Sequence, residues 1–119
     1  MNLKDFFLGI DNYFSPKIIG EVNDQYIKVV KIKGQEVPWH NHENEDELFY
    51  IVEGELTMEI ENIEAFTMKS GDLFVVRKGE NHKVSSKEEC LIMLIESKTT
   101  EHTCKIKSPI TKTIDEQKY

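Results

Sequence analysis

The sequence predicts an all-β protein, an antiparallel sandwich or barrel that follows a short helical arm. From Lys17 to Glu96, short runs rich in β-branched and aromatic residues follow one another, with turn residues between them. No segment in this region has the length and apolar periodicity of an interior helix. About eight to ten short strands in a chain of 119 residues are typical of a single sandwich or barrel.

Taken in order, the chain divides into an N-terminal arm (1–16), a barrel (17–98) and a polar C-terminal tail (99–119). Leu3, Phe6 and Phe7 recur at near-helical spacing, which predicts a short amphipathic helix over residues 3–9 that ends near Gly9. After Pro16 the pattern becomes that of strands. The predicted strands cover residues 17–22, 26–33, 36–40, 47–53, 55–61, 64–68, 72–76, 82–86 and 89–96.

Composition argues against several classes of partner. The 15 basic and 22 acidic side chains give a net charge of −7, so neither a nucleic acid nor an anionic membrane surface is expected as the main partner. No apolar run resembles an export signal or reaches membrane-spanning length. The two cysteines, Cys90 and Cys104, give no disulfide framework, and this pattern predicts a cytoplasmic protein. We expect Cys90 to be a buried apolar residue.

Four side chains have the chemistry and spacing of a metal site. His40 and His42 lie one residue apart, Glu47 follows five residues later, and His82 comes after a turn at Gly79. A strand places the two imidazoles of His-X-His on one face about 7 Å apart, close enough to bind one ion at about 2.1 Å. Asp46 is the close competitor of Glu47, but strand alternation sends it to the opposite face.

The spacing of these residues resembles that of the cupin superfamily. The first cupin motif, G-x5-H-x-H-x3,4-E-x6-G, is met at every position, by Gly34, His40, His42, Glu47 and Gly54. The second, G-x5-P-x-G-x2-H-x3-N, is met by Gly71, Gly79 and His82, with Arg77 in place of proline and Ser86 in place of asparagine. The resemblance implies a double-stranded β-helix, or jelly-roll barrel, with one divalent metal ion bound by His40, His42, Glu47 and His82.

Strand alternation gives the first motif two faces. If Glu47 points inward, Phe49 and Ile51 do too, and the outward set is unusually apolar. That outward set consists of Val37, Trp39, Leu48, Tyr50 and Val52. Its cover is either the aromatic N-terminal arm or a second subunit, and we expect a homodimer through this face.

The ligand set leaves the reaction open. Three imidazoles and one carboxylate accept Fe, Mn, Ni, Zn, Cu or Co, and leave a divalent ion with a net charge of about +1. We expect a small anionic or polyhydroxylated ligand and a metal-dependent enzyme of dioxygenase, decarboxylase or isomerase type, with Glu47 as metal ligand and proton acceptor. The alternatives are a non-enzymatic binding or sensing protein and a structural metal site. The sequence shows no acid or base in the site other than Glu47. Lys28 is not counted, because its strand is predicted to alternate with solvent and Lys28 is expected on the exposed face.

Overall fold

The computed structural model describes residues 1–99. The predicted tail therefore lies outside the described residues except for Thr99, as do His102 and Cys104. Within the described part, a 3₁₀ helix covers Leu3–Phe7, and the strands are β1 (Lys17–Val22), β2 (Gln25–Gly34), β3 (Glu47–Glu53), β4 (Glu55–Ile60), β5 (Phe66–Lys69), β6 (Leu73–Val76) and β7 (His82–Ser97). This architecture confirms the predicted all-β jelly-roll barrel. The division into arm, barrel and tail stays a prediction.

The strands pair antiparallel as two sheets that share β7. The larger sheet has the order β1-β2-β7-β3-β6, and the smaller one pairs β5 with β4 and β4 with β7. The first part of β7 pairs with β4, from His82 to Ser85, and the later part pairs with β2 and β3. The two predicted strands 82–86 and 89–96 are thus one continuous strand that passes from one sheet to the other.

A barrel core fills the space between the sheets. Its residues alternate along each strand with period two, as side chains on a pleated strand must. Phe49 and Ile51 of β3 face inward beside Leu94 and Ile92 of β7, as predicted. The core also contains Phe14, Val30, Ile32, Leu56, Met58, Ile60, Met68, Val76, Val84 and Cys90. Cys90 is fully buried, and burial raises the pKa of its thiol to about 12, which confirms the expected apolar role.

The N-terminal arm covers the outer face of the larger sheet. The predicted helix over residues 3–9 is only a 3₁₀ turn, capped at its start by the Asn2 side chain. Phe7 and Ile10 pack with Val29, Val52 and Leu91 to form what we term the arm cluster. Phe14 goes instead into the barrel core, with its backbone N–H donating to the carbonyl of Lys31 at 2.8 Å. The arm thus supplies apolar side chains to both sides of the larger sheet.

Residues 35–46 form an irregular loop where a strand over 36–40 was predicted. That prediction is wrong: His40 makes only an isolated bridge with His82. Pro38 lacks a backbone N–H and interrupts any longer ladder. The alternation argument therefore fails here, because Val37 packs against the barrel core instead of pointing outward. Among residues 1–99, no helix has the length and apolar character needed to cross a membrane.

Candidate metal centre

The four predicted ligands come from three separate parts of the chain. His40 and His42 lie in the loop, Glu47 begins β3 and His82 begins β7. Two backbone hydrogen bonds join His40 and His82, at 3.0 and 2.8 Å, and the Gly79 N–H donates to the carbonyl of His42 at 2.8 Å. The β7 start and the turn before it therefore hold the loop in place. All four side chains are buried at one end of the barrel.

The three imidazoles form a compact group. Their nearest ring nitrogens all lie within 4.8 Å of one another, and the His40 and His82 ring centroids are 4.3 Å apart. The Glu47 Oε1 atom lies 3.7 Å from His42 Nε2 and 3.8 Å from His82 Nε2. Both separations are too long for direct hydrogen bonds but short enough for one ion to contact both partners. The structure thus groups the three predicted histidines and places Glu47 beside two of them, His42 and His82.

Hydrogen bonds on the outer side of two rings orient their inner nitrogens. His40 Nδ1 lies 2.9 Å from the carbonyl of Pro38, and His82 Nδ1 lies 3.0 Å from that of Glu80. A carbonyl accepts a hydrogen bond, so each Nδ1 carries a proton, and in the neutral form of each ring Nε2 has the lone pair that a metal ion needs. Among the described residues, His82 Nε2 and both ring nitrogens of His42 are buried without a hydrogen-bond partner. Buried polar atoms normally have partners, so these nitrogens fit a bound cation.

Electrostatics keep the site receptive to a cation. Burial lowers the pKa of His40 to about 4, with help from the charge of His82, so His40 is neutral at pH 7. Burial opposes the charged form of His82 as well, but its interaction with Glu47 outweighs burial and raises the pKa of His82. Burial also acts against ionised Glu47, yet its interactions with Glu96, His42 and His82 hold its pKa well below the usual range. Glu47 is therefore an ionised, buried carboxylate.

Two buried titratable residues next to Glu47, namely Glu96 and Lys28, were not predicted from the sequence to belong to the site. Glu96 is the direct partner of Glu47 across β3 and β7, and the two carboxyl groups hydrogen bond to each other. The Lys28 Nζ atom lies 2.5 Å from Glu96 Oε1, and Lys28 is only 1% exposed. Burial and the Glu47 charge raise the pKa of Glu96 well above its usual range, and Lys28 opposes this. Glu96 is thus the member of the carboxyl pair that carries the proton.

The expectation that Lys28 faces solvent is wrong for a physical reason. β2 is covered on one side by the barrel core and on the other by the arm cluster, so Lys28, Val29 and Val30 are all buried. Alternation did contain a signal: Lys28 shares its face with Val30 and Ile32, and Glu96 shares its face with Ile92 and Leu94. An acidic and a basic residue in phase with core positions indicate a buried pair that contacts across the strands.

A small cavity of about 60 Å³ adjoins the centre. His40 and Glu47 form its polar end, and its other walls are apolar. Those walls come from Phe14, Pro16, Val30, Ile32, Val37, Phe49, Val84, Ile92 and Leu94. Apolar walls with a few polar groups at one end are the usual character of small-molecule sites. That this cavity binds a ligand stays a prediction.

The departures from the second motif leave the four ligands in place. At the Arg77 position, the backbone N–H donates to the Glu80 carboxylate at 2.8 Å, which closes the turn. Ser86 Oγ donates to the carbonyl of Ile32 at 3.2 Å. Asp46 is exposed and accepts a hydrogen bond from the Lys78 N–H at 2.9 Å, so it lies away from the ligand group, as alternation predicted.

Comparison with known proteins agrees with this geometry. The family model described as "Cupin domain" matches residues 28–96. The uncharacterized protein YdbB of Bacillus subtilis (strain 168) is 34% identical over 83 residues, which cover 70% of this chain and 73% of YdbB. A cupin-2 domain containing protein from Shewanella frigidimarina NCIMB 400 has a crystal structure with a TM-score of 0.77 and 39% identity, covering 82% of this chain and 93% of that one. The crystal structure of protein NMB1881 from Neisseria meningitidis has a TM-score of 0.73 and 30% identity, and the match covers 82% of this chain and 97% of NMB1881.

Proposed function

This chain belongs to the cupin domain family, and we propose that it is a divalent-metal-dependent enzyme that acts on a small molecule. The proposed metal ligands are His40, His42, Glu47 and His82. The observation that carries the proposal is the set of buried imidazole nitrogens without hydrogen-bond partners, gathered beside an ionised carboxylate and an apolar cavity. The ion is one of Fe, Mn, Ni, Zn, Cu or Co, because imidazole and carboxylate accept all of these.

Each part of the site has a distinct role in this proposal. When bound, the metal supplies Lewis-acid polarisation of a ligand oxygen or, if it is redox-active, activation of dioxygen. The Pro38 and Glu80 carbonyls keep the Nε2 atoms of His40 and His82 facing the centre. Glu47 binds the metal and is the proposed proton acceptor. The apolar walls offer water few hydrogen-bond partners, so a ligand that fills the cavity would meet stronger electrostatic interactions than in bulk solvent.

The Glu47–Glu96 pair favours catalysis over passive binding. A buried carboxylate that is hydrogen-bonded to a protonated carboxyl group is held in place to accept a proton, and the shared hydrogen bond can adjust when its charge changes. A structural metal site needs neither this pair nor an adjoining cavity. A non-enzymatic binding or sensing protein is the second candidate, because no wall residue other than His40 and Glu47 offers an acid or a base.

Metal analysis is the first test of the proposal. Protein purified without added metal or chelator is analysed for elements, and the parent, His40→Ala and His82→Ala proteins are titrated with metal. We expect one ion per chain in the parent and strongly reduced binding in both variants. If the variants bind as much metal as the parent, the site assignment is wrong.

Turnover is the second test. Metal-loaded protein is mixed with a panel of chelating acids and diketones while oxygen consumption and product formation are followed. Substrate-dependent oxygen loss indicates a dioxygenase, and isomerised or decarboxylated product indicates Lewis-acid chemistry. Tight binding without any product would favour the sensing protein over the enzyme.

We also propose that two copies associate through the remaining exposed part of the outer face. Val52 is covered by the arm cluster, whereas Trp39 is 41% exposed. Tyr50 is half-buried, and its cross-strand partner Leu73 is 61% exposed on the same face. Light scattering at micromolar concentration tests this association, because a monomer has a mass of 13.9 kDa. A particle of that mass for the parent protein would exclude the dimer.

A further inference from the structure

The cavity next to the metal centre has almost no polar surface beyond the ligands themselves. Its described lining contains no lysine, arginine, serine, threonine, asparagine or glutamine. Lys28, the one buried lysine among residues 1–99, pairs with Glu96 and does not line the cavity. A phosphate group or a row of hydroxyl groups in this space would lose its hydration without receiving hydrogen bonds in return.

The cavity is also small. Its volume of about 60 Å³ is well under half of the roughly 150 Å³ that accommodates benzene in an apolar protein cavity. On the same scale, the space suits a hydrocarbon body of about two or three carbon atoms. A hexose or an aromatic ring would require the walls to move apart.

From these walls, and resting on the proposed function, we propose that the ligand of this site is a short-chain acid or diketone with a chelating oxygen head and an unsubstituted hydrocarbon body. The head lies at His40 and Glu47, where the metal is proposed to bind, and the body fills the apolar cavity. The sequence predicted a small anionic or polyhydroxylated ligand. Of these two classes, the proposal keeps anionic chelating molecules and excludes polyhydroxylated ones.

The N-terminal arm sets the length limit of the ligand body. Phe14 and Pro16 of the arm line the cavity together with β-strand residues such as Phe49 and Val84. Phe14 is 2% exposed and has a φ of 57°, a left-handed conformation that is uncommon for a bulky residue. Backbone strain of this kind persists where the surrounding structure requires it, here where the ring packs in the barrel core and lines the cavity. Removing the Phe14 ring should therefore lengthen the space for the body.

Calorimetric titration of Co²⁺-loaded protein with unbranched 2-oxo acids of three to eight carbons tests the proposal. Each added methylene should tighten binding by about fourfold until the cavity is full, after which affinity should fall. A 2-oxo acid with a hydroxyl on its last carbon should bind at least about tenfold more weakly than its unsubstituted counterpart. Glucose 6-phosphate should not compete. Equal or tighter binding of the hydroxylated acid, or no dependence on chain length, would overturn the proposal.

Two variants test whether Phe14 limits the chain length of the ligand. Phe14→Ala should move the optimum chain length up by about two carbons. Phe7→Ala is the matched control, because Phe7 is similarly buried but belongs to the arm cluster and does not line the cavity. If both variants shift the optimum alike, the assignment of Phe14 to the cavity wall is wrong. Should Phe14→Ala not fold, the parent's response to chain length and hydroxylation still decides the proposal.

Metal content, measured on the same samples, separates failure of this inference from failure of the proposed function. Protein that takes up no Co²⁺ overturns both. Protein that binds Co²⁺ but prefers the hydroxylated acid, or binds none of the acids, overturns only the ligand class. Metal-free protein should bind the acids far more weakly, and equal binding with and without metal would show that the head does not lie at the centre.

Discussion

Glu47 and Glu96 face each other across β3 and β7, both are buried, and their carboxyl groups share a hydrogen bond. Two adjacent buried carboxylates repel each other, so the pair is stable with one proton between them. The proton resides on Glu96, whose Oε1 atom contacts Lys28. The proposed metal ligand thus has a positioned hydrogen-bond partner, held in turn by a buried cation.

The Lys28–Glu96 pair should matter for folding far more than a surface pair of the same kind. Lys28→Met leaves the buried acidic pair without this cation and should lower the free energy of unfolding by about 3 kcal/mol. The double variant Lys28→Met/Glu47→Gln should recover much of that loss in the metal-free protein, because Glu47 is the ionised member of the carboxyl pair and its replacement leaves no unbalanced charge. Urea unfolding of the single and double variants measures both effects.

Lys4→Met is the control for this prediction. Lys4 pairs with Glu53 at 3.2 Å, but the two side chains are 60% and 59% exposed. An exposed pair of this kind contributes less than about 1 kcal/mol. A loss in Lys28→Met no larger than that in Lys4→Met would show that the buried pair does not stabilise the fold.

Glu47 and Asp46 are adjacent carboxylates with different surroundings, so they form a matched pair for metal binding. Glu47→Gln should weaken metal binding by at least about tenfold, because it replaces a charged ligand with a neutral amide. Asp46→Asn should change the affinity little, since Asp46 is exposed and bonds to Lys78. Calorimetric titration with metal gives both affinities. The opposite ranking would reject Glu47 as the ligand.

Stability of the metal-free protein should depend on pH through His40. The pKa of His40 is about 4 in the fold and about 6.5 in an unfolded chain. Between these values the unfolded chain binds a proton that the folded protein does not, so the stability present above pH 6.5 is lost as the pH falls towards 4. Over that window the loss attributable to His40 should be about 3 kcal/mol.

His40→Gln isolates this contribution. The raised pKa of His82 acts in a different window, since its stabilising effect is lost only as the pH rises above 6.5. The raised pKa of Glu96 works in the opposite direction within the same window as His40, but it is present in both proteins. Unfolding free energies of the parent and the variant at pH 7 and pH 4 are compared. Equal pH dependence in the two proteins would contradict the burial of a neutral His40.

Gly54 and Gly71 both have positive φ values, of 94° and 92°, but their surroundings differ. A Cβ atom at Gly54 would lie 2.6 Å from the Glu89 carbonyl oxygen, whereas one at Gly71 would meet nothing within 4 Å. Gly71→Ala should therefore cost about 1–2 kcal/mol for its backbone conformation alone. Gly54→Ala should cost clearly more, because β7 must also move. Thermal unfolding ranks the two variants, and equal losses would contradict the close approach.

The sequence predicted the direction of side chains correctly in regular strands but not in irregular segments. The alternation that placed Glu47, Phe49 and Ile51 on one face held, because β3 is a regular strand. The same argument failed for Val37, since the loop that carries it has no strand period to follow. Phe14 was assigned to the arm as a whole, yet its left-handed φ turns it away from the arm cluster and into the barrel core.

The sequence by itself determined the all-β barrel and the four candidate ligands, because strand periodicity and motif spacing are properties of neighbouring residues along the chain. Only the tertiary structure decided that Glu96 is paired with Glu47, that Lys28 is buried against Glu96, and that Phe14 lines the cavity. Those relationships depend on the register between strands far apart in the chain. Register is set by the packing of the whole core and by the bulges in β2 and β3, which no local pattern encodes.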